Sequence, residues 1–301
     1  MVQTLINAIS LGSIYALVAL GIGLLFGVLK VINFAHGDFI TIGAFALIIP
    51  SSQAAAEMGI GLMPWPLVIA GVAAVVVLTA LAAEFLVFRP LRGADSATVM
   101  IASFALGYFL QSSLLLVFGS RPKSVNLWSQ LNVPVVLGGA ETSLLQIIII
   151  AATALLIAGL GFLMRYTSVG LAMRAAAENF RMARLVGVRA NLVIGAAIAL
   201  SGILAAAVSL LIVVQTGVLS YRMGVPLMIF GFVATVIGGM GSLLGSAVGG
   251  FAVGIVSVLA QTFLPESARP FRDAVVFSVV FLVLMLRPKG LIGGGQRGER
   301  I

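Results

Sequence analysis

Apolar runs with few charges recur along the chain, at about residues 5–29, 33–50, 66–88, 98–118, 143–164, 192–214, 226–239, 243–264 and 273–287. A helix that crosses a bilayer needs about 20 predominantly apolar residues, and most of these runs supply that length. They are continuous and do not alternate with period two, which excludes strand-type spanning. Backbone amides in hydrocarbon must be paired within the segment, so helices remain. The pattern predicts an all-α polytopic membrane protein with about 8–9 transmembrane helices, over residues 1–301 as a single transmembrane domain. The count is nine if the short 226–239 run crosses fully, and eight if it is re-entrant. No Lys or Arg precedes the first apolar run, and Gln3 and Asn7 interrupt it. A secretory signal opens with a positive region, so this segment reads as a retained helix.

Composition sharpens the exclusion. Of 301 residues, 61% are hydrophobic and 9% are charged. A soluble domain carries roughly a quarter charged residues, so a water-soluble enzyme of this length is ruled out. The absence of cysteine excludes disulfides, thiolate metal sites and cysteine nucleophiles. A metal site is further disfavoured by a single histidine and few carboxylates.

Charge then orients the helices. The segments around Lys30, 89–97, 165–191 and the C-terminal tail hold twelve of the 17 basic residues, among them Arg89, Arg92, Arg287, Lys289, Arg297 and Arg300. The alternate loops hold Arg121, Lys123, Arg222, Arg269 and Arg272, together with Glu57, Glu141, Glu266 and Asp273. The positive-inside bias places the first set in the cytoplasm, with the N-terminus outside and the C-terminus inside. The net charge of +8 is therefore read as cationic cytoplasmic loops, and nucleic acid is not expected as a partner.

Two spans carry interruptions that anchoring does not need. One is Lys30-Val-Ile-Asn-Phe-Ala-His-Gly-Asp-Phe39, and the other is the glycine-rich stretch from Ile237 to Phe251. Each places glycine and then a capping type, Gly37-Asp38 and Gly241-Ser242, before a new apolar run. Glycine-broken segments at matching places in two halves point to a transport pathway, and the alternative is a pair of ordinary turns. The candidate pathway residues are Asn33, His36, Asp38 and Thr41 at the first break, Gly241 and Ser242 at the second, and the polar groups Ser103, Gln111 and Gln215 in apolar runs. No catalytic residue is assigned. His36, the one histidine, is read as a structural donor at a helix end, with proton relay as the alternative.

The longest cytoplasmic connection, about 165–191, contains Leu171 to Gly187, which is rich in helix formers. The spacing lets Glu178 pair with Arg174 and Arg181 along one face, and Gly187 suits a C-terminal stop. Small apolar residues, Ala176 among them, line the neighbouring turns. Such a helix suits docking into a groove of a soluble partner, and otherwise it is a solvated linker.

The motif Val31-Ile-Asn-Phe-Ala-His-Gly-Asp-Phe39, the Arg174–Gly187 helix, the Gly238–Gly250 run and the ending Leu286-Arg-Pro-Lys-Gly-Leu-Ile292 resemble one family over nearly the whole chain. The chain is similar to the branched-chain (hydrophobic) amino-acid ABC transporter permeases, and within them to the H-type subunit. The resemblance implies a bacterial inner-membrane importer component paired with a second homologous permease. It implies two cytoplasmic ABC ATPases below and a periplasmic or extracellular substrate-binding protein outside. It makes Arg174, Ala176, Glu178, Arg181 and Gly187 the residues that couple to the ATPase. The chain has no Gly-x-x-x-x-Gly-Lys-Ser/Thr loop, so ATP, and any nucleotide cofactor, belongs to the partner subunits. Related importers carry urea or short amides, so the cargo is not settled by the resemblance. The rival of another class is an ion-coupled secondary transporter or channel. Such carriers keep ionisable groups inside the bundle, where this chain offers only His36, Asp38 and Glu84.

Overall fold

The computed structural model describes residues 2–51, 53–137, 140–288 and 290–292. The tail residues Lys289, Arg297 and Arg300, used above to orient the chain, lie outside the described residues.

Each long apolar run forms a helix, because only intrasegment hydrogen bonding satisfies a backbone placed in lipid. Six helices are long and apolar enough to cross a membrane. They are α1 (Val2–Leu29), α3 (Trp65–Ala83), continued through a π-helical turn Glu84–Phe88, α4 (Ser96–Phe118), α5 (Leu144–Tyr166), α8 (Ala190–Thr216) and α10 (Leu243–Phe263). Three apolar helices are shorter: α2 (His36–Phe45), α9 (Gly224–Gly238) and α11 (Arg272–Leu286). At 1.5 Å per residue, α2 is about 15 Å long and α9 about 22 Å, both less than the ~30 Å hydrocarbon thickness. The run expected at 33–50 is thus helical only over its middle, and the run at 226–239 is the short helix Gly224–Gly238.

Helix α1 is the axis of the bundle. Its apolar stretch is 83% buried, against 11% for α4 and 17% for α5, whose outer faces are left to lipid or to another chain. Helix α10 runs antiparallel along α1, setting Gly254 against Gly12 and Gly250 against Ala16. A Cβ on either of these α10 glycines would fall onto α1 backbone. Close backbone approach is what associates helices in a solvent as apolar as their own side chains. Hydroxyls add cross-links: Thr235 of α9 donates to the Ala19 carbonyl oxygen of α1 at 3.0 Å.

The connections sort onto two ends. At one end, three two-stranded ladders join the loops after α2, after α4 and after α8: β1 (Ile48–Ile49) with β2 (Glu57–Met58), β3 (Lys123–Ser124) with β6 (Val218–Leu219), and the hairpin β4 (Pro134–Leu137) with β5 (Ala140–Ser143). Ala55 bridges to Ser124, and Lys123 Nζ donates to the carbonyls of Ser51 and Gln53 at 2.5 and 2.6 Å. Gln146, at the start of α5, donates to Asn7 of α1 at 2.9 Å, so the beginning of α1 lies at this end. The opposite end gathers Lys30–Ala35, Arg89–Asp95, the segment between α5 and α8, the α9–α10 turn and Gly290–Ile292. Leu291 closes it by donating to the Ile237 carbonyl at 2.7 Å. This division into two loop sets matches the one drawn from charge.

Candidate functional site

The first break is built by short-range hydrogen bonds that replace helix continuation. Lys30 adopts a left-handed conformation (φ 56°) and ends α1. Asn33 Oδ1 accepts the Ala35 N–H at 3.0 Å, a turn that Asn favours. The Phe34 N–H donates to Ser103 Oγ of α4 at 3.1 Å, and that hydroxyl donates to the Met100 carbonyl at 2.7 Å. The break is thereby tied to α4, and α2 begins at His36.

His36 is fully buried, with Nδ1 3.2 Å from Ser201 Oγ of α8. The Ser201 hydroxyl lies 3.1 Å from the Gly21 carbonyl oxygen of α1. A serine has one proton, and donating it to Gly21 makes His36 Nδ1–H the donor to Oγ. The Ser201 hydroxyl of α8 thus joins His36 of α2 to the backbone of α1.

Asp38 was expected to cap α2. It is instead the third residue of the helix, with Ala35 in the capping position, and its carboxylate is turned sideways to α4. Gln111 Nε2 donates to Asp38 Oδ1 at 2.9 Å, and the missing side chain of Gly107 makes room for Oδ2. A carboxylate in the first turn also complements the positive helix end. Beside it, Phe34 stacks on Phe104 at 4.1 Å and lies 5.8 Å from Phe232 of α9. Thr41 Oγ1 donates to the Gly37 carbonyl at 3.2 Å and accepts the Gly224 N–H at 3.1 Å. It therefore satisfies an N–H at the start of α9 that has no intrahelical partner.

Six of the nine pathway candidates, Asn33, His36, Asp38, Thr41, Ser103 and Gln111, come together in this way. The other three do not. Gln215 is exposed near the far end of α8. Gly241 (φ 89°) and Ser242 form the tight turn between α9 and α10, beside Gly27 near the C-terminal end of α1, and Ser242 Oγ caps α10 by accepting the Gly245 N–H at 3.1 Å. That interruption is an ordinary turn. The element that matches the α1–α2 break is the short helix α9, whose first residue meets α2. Sequence reasoning missed this junction, together with Ser201 and the three phenylalanines. A serine inside the apolar α8 run was the available signal for Ser201.

The segment expected to be one cytoplasmic helix is two helices, α6 (Ser168–Glu178) and α7 (Phe180–Leu185). Thr167 caps α6 through the Gly170 N–H, and Asn179 caps α7 by accepting the Met182 N–H at 3.0 Å. Asn179 also halts α6, since its backbone is extended. Arg174, Glu178 and Arg181 are exposed and form no ion pair with one another. Ala176 and Ala183 are buried against the chain's own bundle, whereas Leu171, Met182, Leu185 and Val186 are exposed. Gly187 (φ 89°) ends the segment in a conformation that favours glycine. A cavity of about 520 Å³ lies between this segment and the adjoining ends of α1, α3, α4 and α8, lined by Lys30, Glu84, Arg92, Glu178 and Arg184 among apolar residues.

The arrangement sets two short helices against each other inside the bundle and a capped helical pair at one end of it. The family model for permease components of branched-chain amino acid transport systems matches residues 4–286. The high-affinity branched-chain amino acid transport permease BraD of Pseudomonas aeruginosa is 31% identical over 296 residues, which cover 97% of this chain and 95% of the relative. The corresponding LivH proteins of Escherichia coli K12 and Salmonella typhimurium are 33% and 32% identical over 300 residues, with the same coverage. No solved structure matches significantly. On a match that runs through every membrane helix, the chain belongs to the family of branched-chain amino acid transport system permease components.

Proposed function

We propose that this chain is the H-type permease subunit of an ATP-driven importer of branched-chain amino acids, acting as one transmembrane domain in the bacterial inner membrane. It pairs with a second homologous permease. Two cytoplasmic ATPases bind the end that carries α6 and α7, and a substrate-binding protein docks at the opposite end, with the N-terminus outside and the C-terminus in the cytoplasm. The observation that carries this reading is the α6–α7 platform. It is held to the bundle by buried Met173, Ala176 and Ala183, and it presents Leu171, Met182, Leu185 and Val186 outward together with Arg174, Glu178 and Arg181. Exposed apolar residues on a short helix, rimmed by charge, are what a groove in a soluble partner recognises.

ATP is hydrolysed by the partner subunits, and this chain changes no covalent bond. Closure of the ATPases moves α6 and α7, and the bundle reopens on the other side. The α2–α9 junction, where the helix ladder is already interrupted, is where the pathway changes shape. Asn33, His36, Asp38, Thr41, Ser103 and Gln111 set its geometry. An aliphatic amino acid fits a route of phenylalanines with a few amide, hydroxyl and carboxylate groups.

The test is uptake of labelled leucine by vesicles holding the chain with its partner subunits. Uptake is expected to require ATP inside and binding protein outside. Replacing Leu185 and Glu178 together with arginine is expected to abolish uptake while the chain stays in the membrane. Uptake driven by an ion gradient in vesicles holding this chain alone would overturn the reading.

A further inference from the structure

Glu84 is an acidic residue at the inner end of an otherwise apolar helix, and its side chain is only 9% exposed. It begins the π-helical turn Glu84–Phe88, closed by the Arg89 N–H donating to the Glu84 carbonyl at 2.7 Å. This wider turn is the last of the helix, a form in which helices often end. The chain then folds back through Arg89–Asp95, which brings the Arg92 guanidinium onto the Glu84 carboxylate. The second arm of the same guanidinium donates to Asn191 Oδ1 at 2.5 Å. Asn191 lies in the first turn of α8, immediately after the α6–α7 segment. One side chain thus holds the inner end of α3 and the exit of the platform. It does so at the edge of the 520 Å³ cavity, and adds a polar tie to the direct packing of α3 on α8 deeper in the bundle, where Gly202 lies against Val77 and Ala80.

We infer that Glu84, Arg92 and Asn191 form a relay that transmits movement of the α6–α7 platform to α3, so that Arg92 is a positioning residue for coupling. The inference rests on the proposed function above, in which that platform receives the ATPase. The planar fork of arginine reaches two acceptors at once, and a lysine ammonium at the same place holds the carboxylate as a point charge without spanning to the amide. The cavity gives the platform room to move, and the fork is the polar link that makes α3 follow.

The relay is tested in the complete transporter, reconstituted with its partner subunits, by measuring ATP hydrolysed per leucine taken up. Arg92→Lys keeps the charge beside Glu84, and Asn191→Ala removes the second acceptor. Both variants are expected to match wild type in membrane abundance and thermal midpoint. The hydrolysis-to-uptake ratio is expected to rise about fivefold or more, the lower end of ordinary coupling between sites. Glu84→Gln is expected to raise the ratio as well. An unchanged ratio in Arg92→Lys and Asn191→Ala, whether or not uptake falls, overturns the relay. The wild-type transporter is the separate check: if its own uptake does not depend on ATP, the proposed function falls.

Discussion

Gly37 in the first turn of α2 and Gly224 at the start of α9 meet backbone to backbone, each lying where the other's side chain would stand. A Cβ on Gly224 would fall onto the Gly37 carbonyl, and one on Gly37 onto that of Gly224. Two helix starts, each carrying partial positive charge, are packed together next to the Asp38 carboxylate. The Thr41 hydroxyl spans the contact.

Gly224→Ala is expected to push α9 from α2. Overpacking a close contact costs about 1–3 kcal/mol. The thermal midpoint in detergent is expected to fall and leucine uptake to drop more steeply than membrane abundance. A variant with wild-type midpoint and uptake would show that the contact is loose.

Ser201→Ala strips the link between His36 and Gly21. It leaves a buried imidazole N–H without its partner, whereas the Gly21 carbonyl keeps its intrahelical bond; an unsatisfied buried donor costs about 1–3 kcal/mol in general. Within a membrane bundle the loss is expected around or below the bottom of that range, about 0.6–1.7 kcal/mol. Thermal unfolding of the purified chain checks it, and Ser201→Thr, which retains the hydroxyl, is expected to lose less than Ser201→Ala.

At the Asp38–Gln111 pair, shape and charge can be separated. Asp38→Asn keeps an acceptor for Gln111, whereas Asp38→Leu removes it. If the carboxylate serves the pathway, Asp38→Asn is expected to lower uptake several-fold at unchanged abundance, and Asp38→Leu to lower both. Equal uptake in Asp38→Asn and wild type would confine the residue to packing.

At the other end, Lys123 is nearly buried and its ammonium is held by two backbone carbonyls. Lys123→Met keeps the stem and deletes those contacts. Hydrogen bonds from charged groups contribute about 1.5–3 kcal/mol each, partly offset here by the desolvation of the ammonium. The loop after α2 is expected to become the first site of proteolytic cleavage, read by limited digestion and mass spectrometry, with the transmembrane core intact.

Much of this was legible in the residues. The nine apolar runs correspond to nine helices in order, and the loops rich in basic residues fall at the end opposite the loops poor in them. The Asn33–Asp38 motif marks a true break. Ser242 caps a helix as expected, because capping is local. The errors have a common origin. The single cytoplasmic helix became two because Asn179 takes an extended backbone that caps α7. Asp38 was taken for a cap because only its sequence neighbours were visible, while its partner Gln111 is 73 residues away. Gln215 was grouped with the pathway on polarity alone, and polarity does not say which end of a helix a residue occupies.

By itself, the sequence determined which segments are helical, that they lie in a membrane, and which loops share a side. Each of those is settled by the transfer free energy of a segment from water to lipid, a property of the segment alone. Only the tertiary structure decided that α2 starts against α9, that His36 reaches Gly21 through Ser201, and that Arg92 joins Glu84 to Asn191. In lipid the hydrophobic effect does not choose helix neighbours. That choice falls to glycine contacts and buried hydrogen bonds between residues up to 242 positions apart, as at Gly12 and Gly254, which exist only once the bundle has assembled.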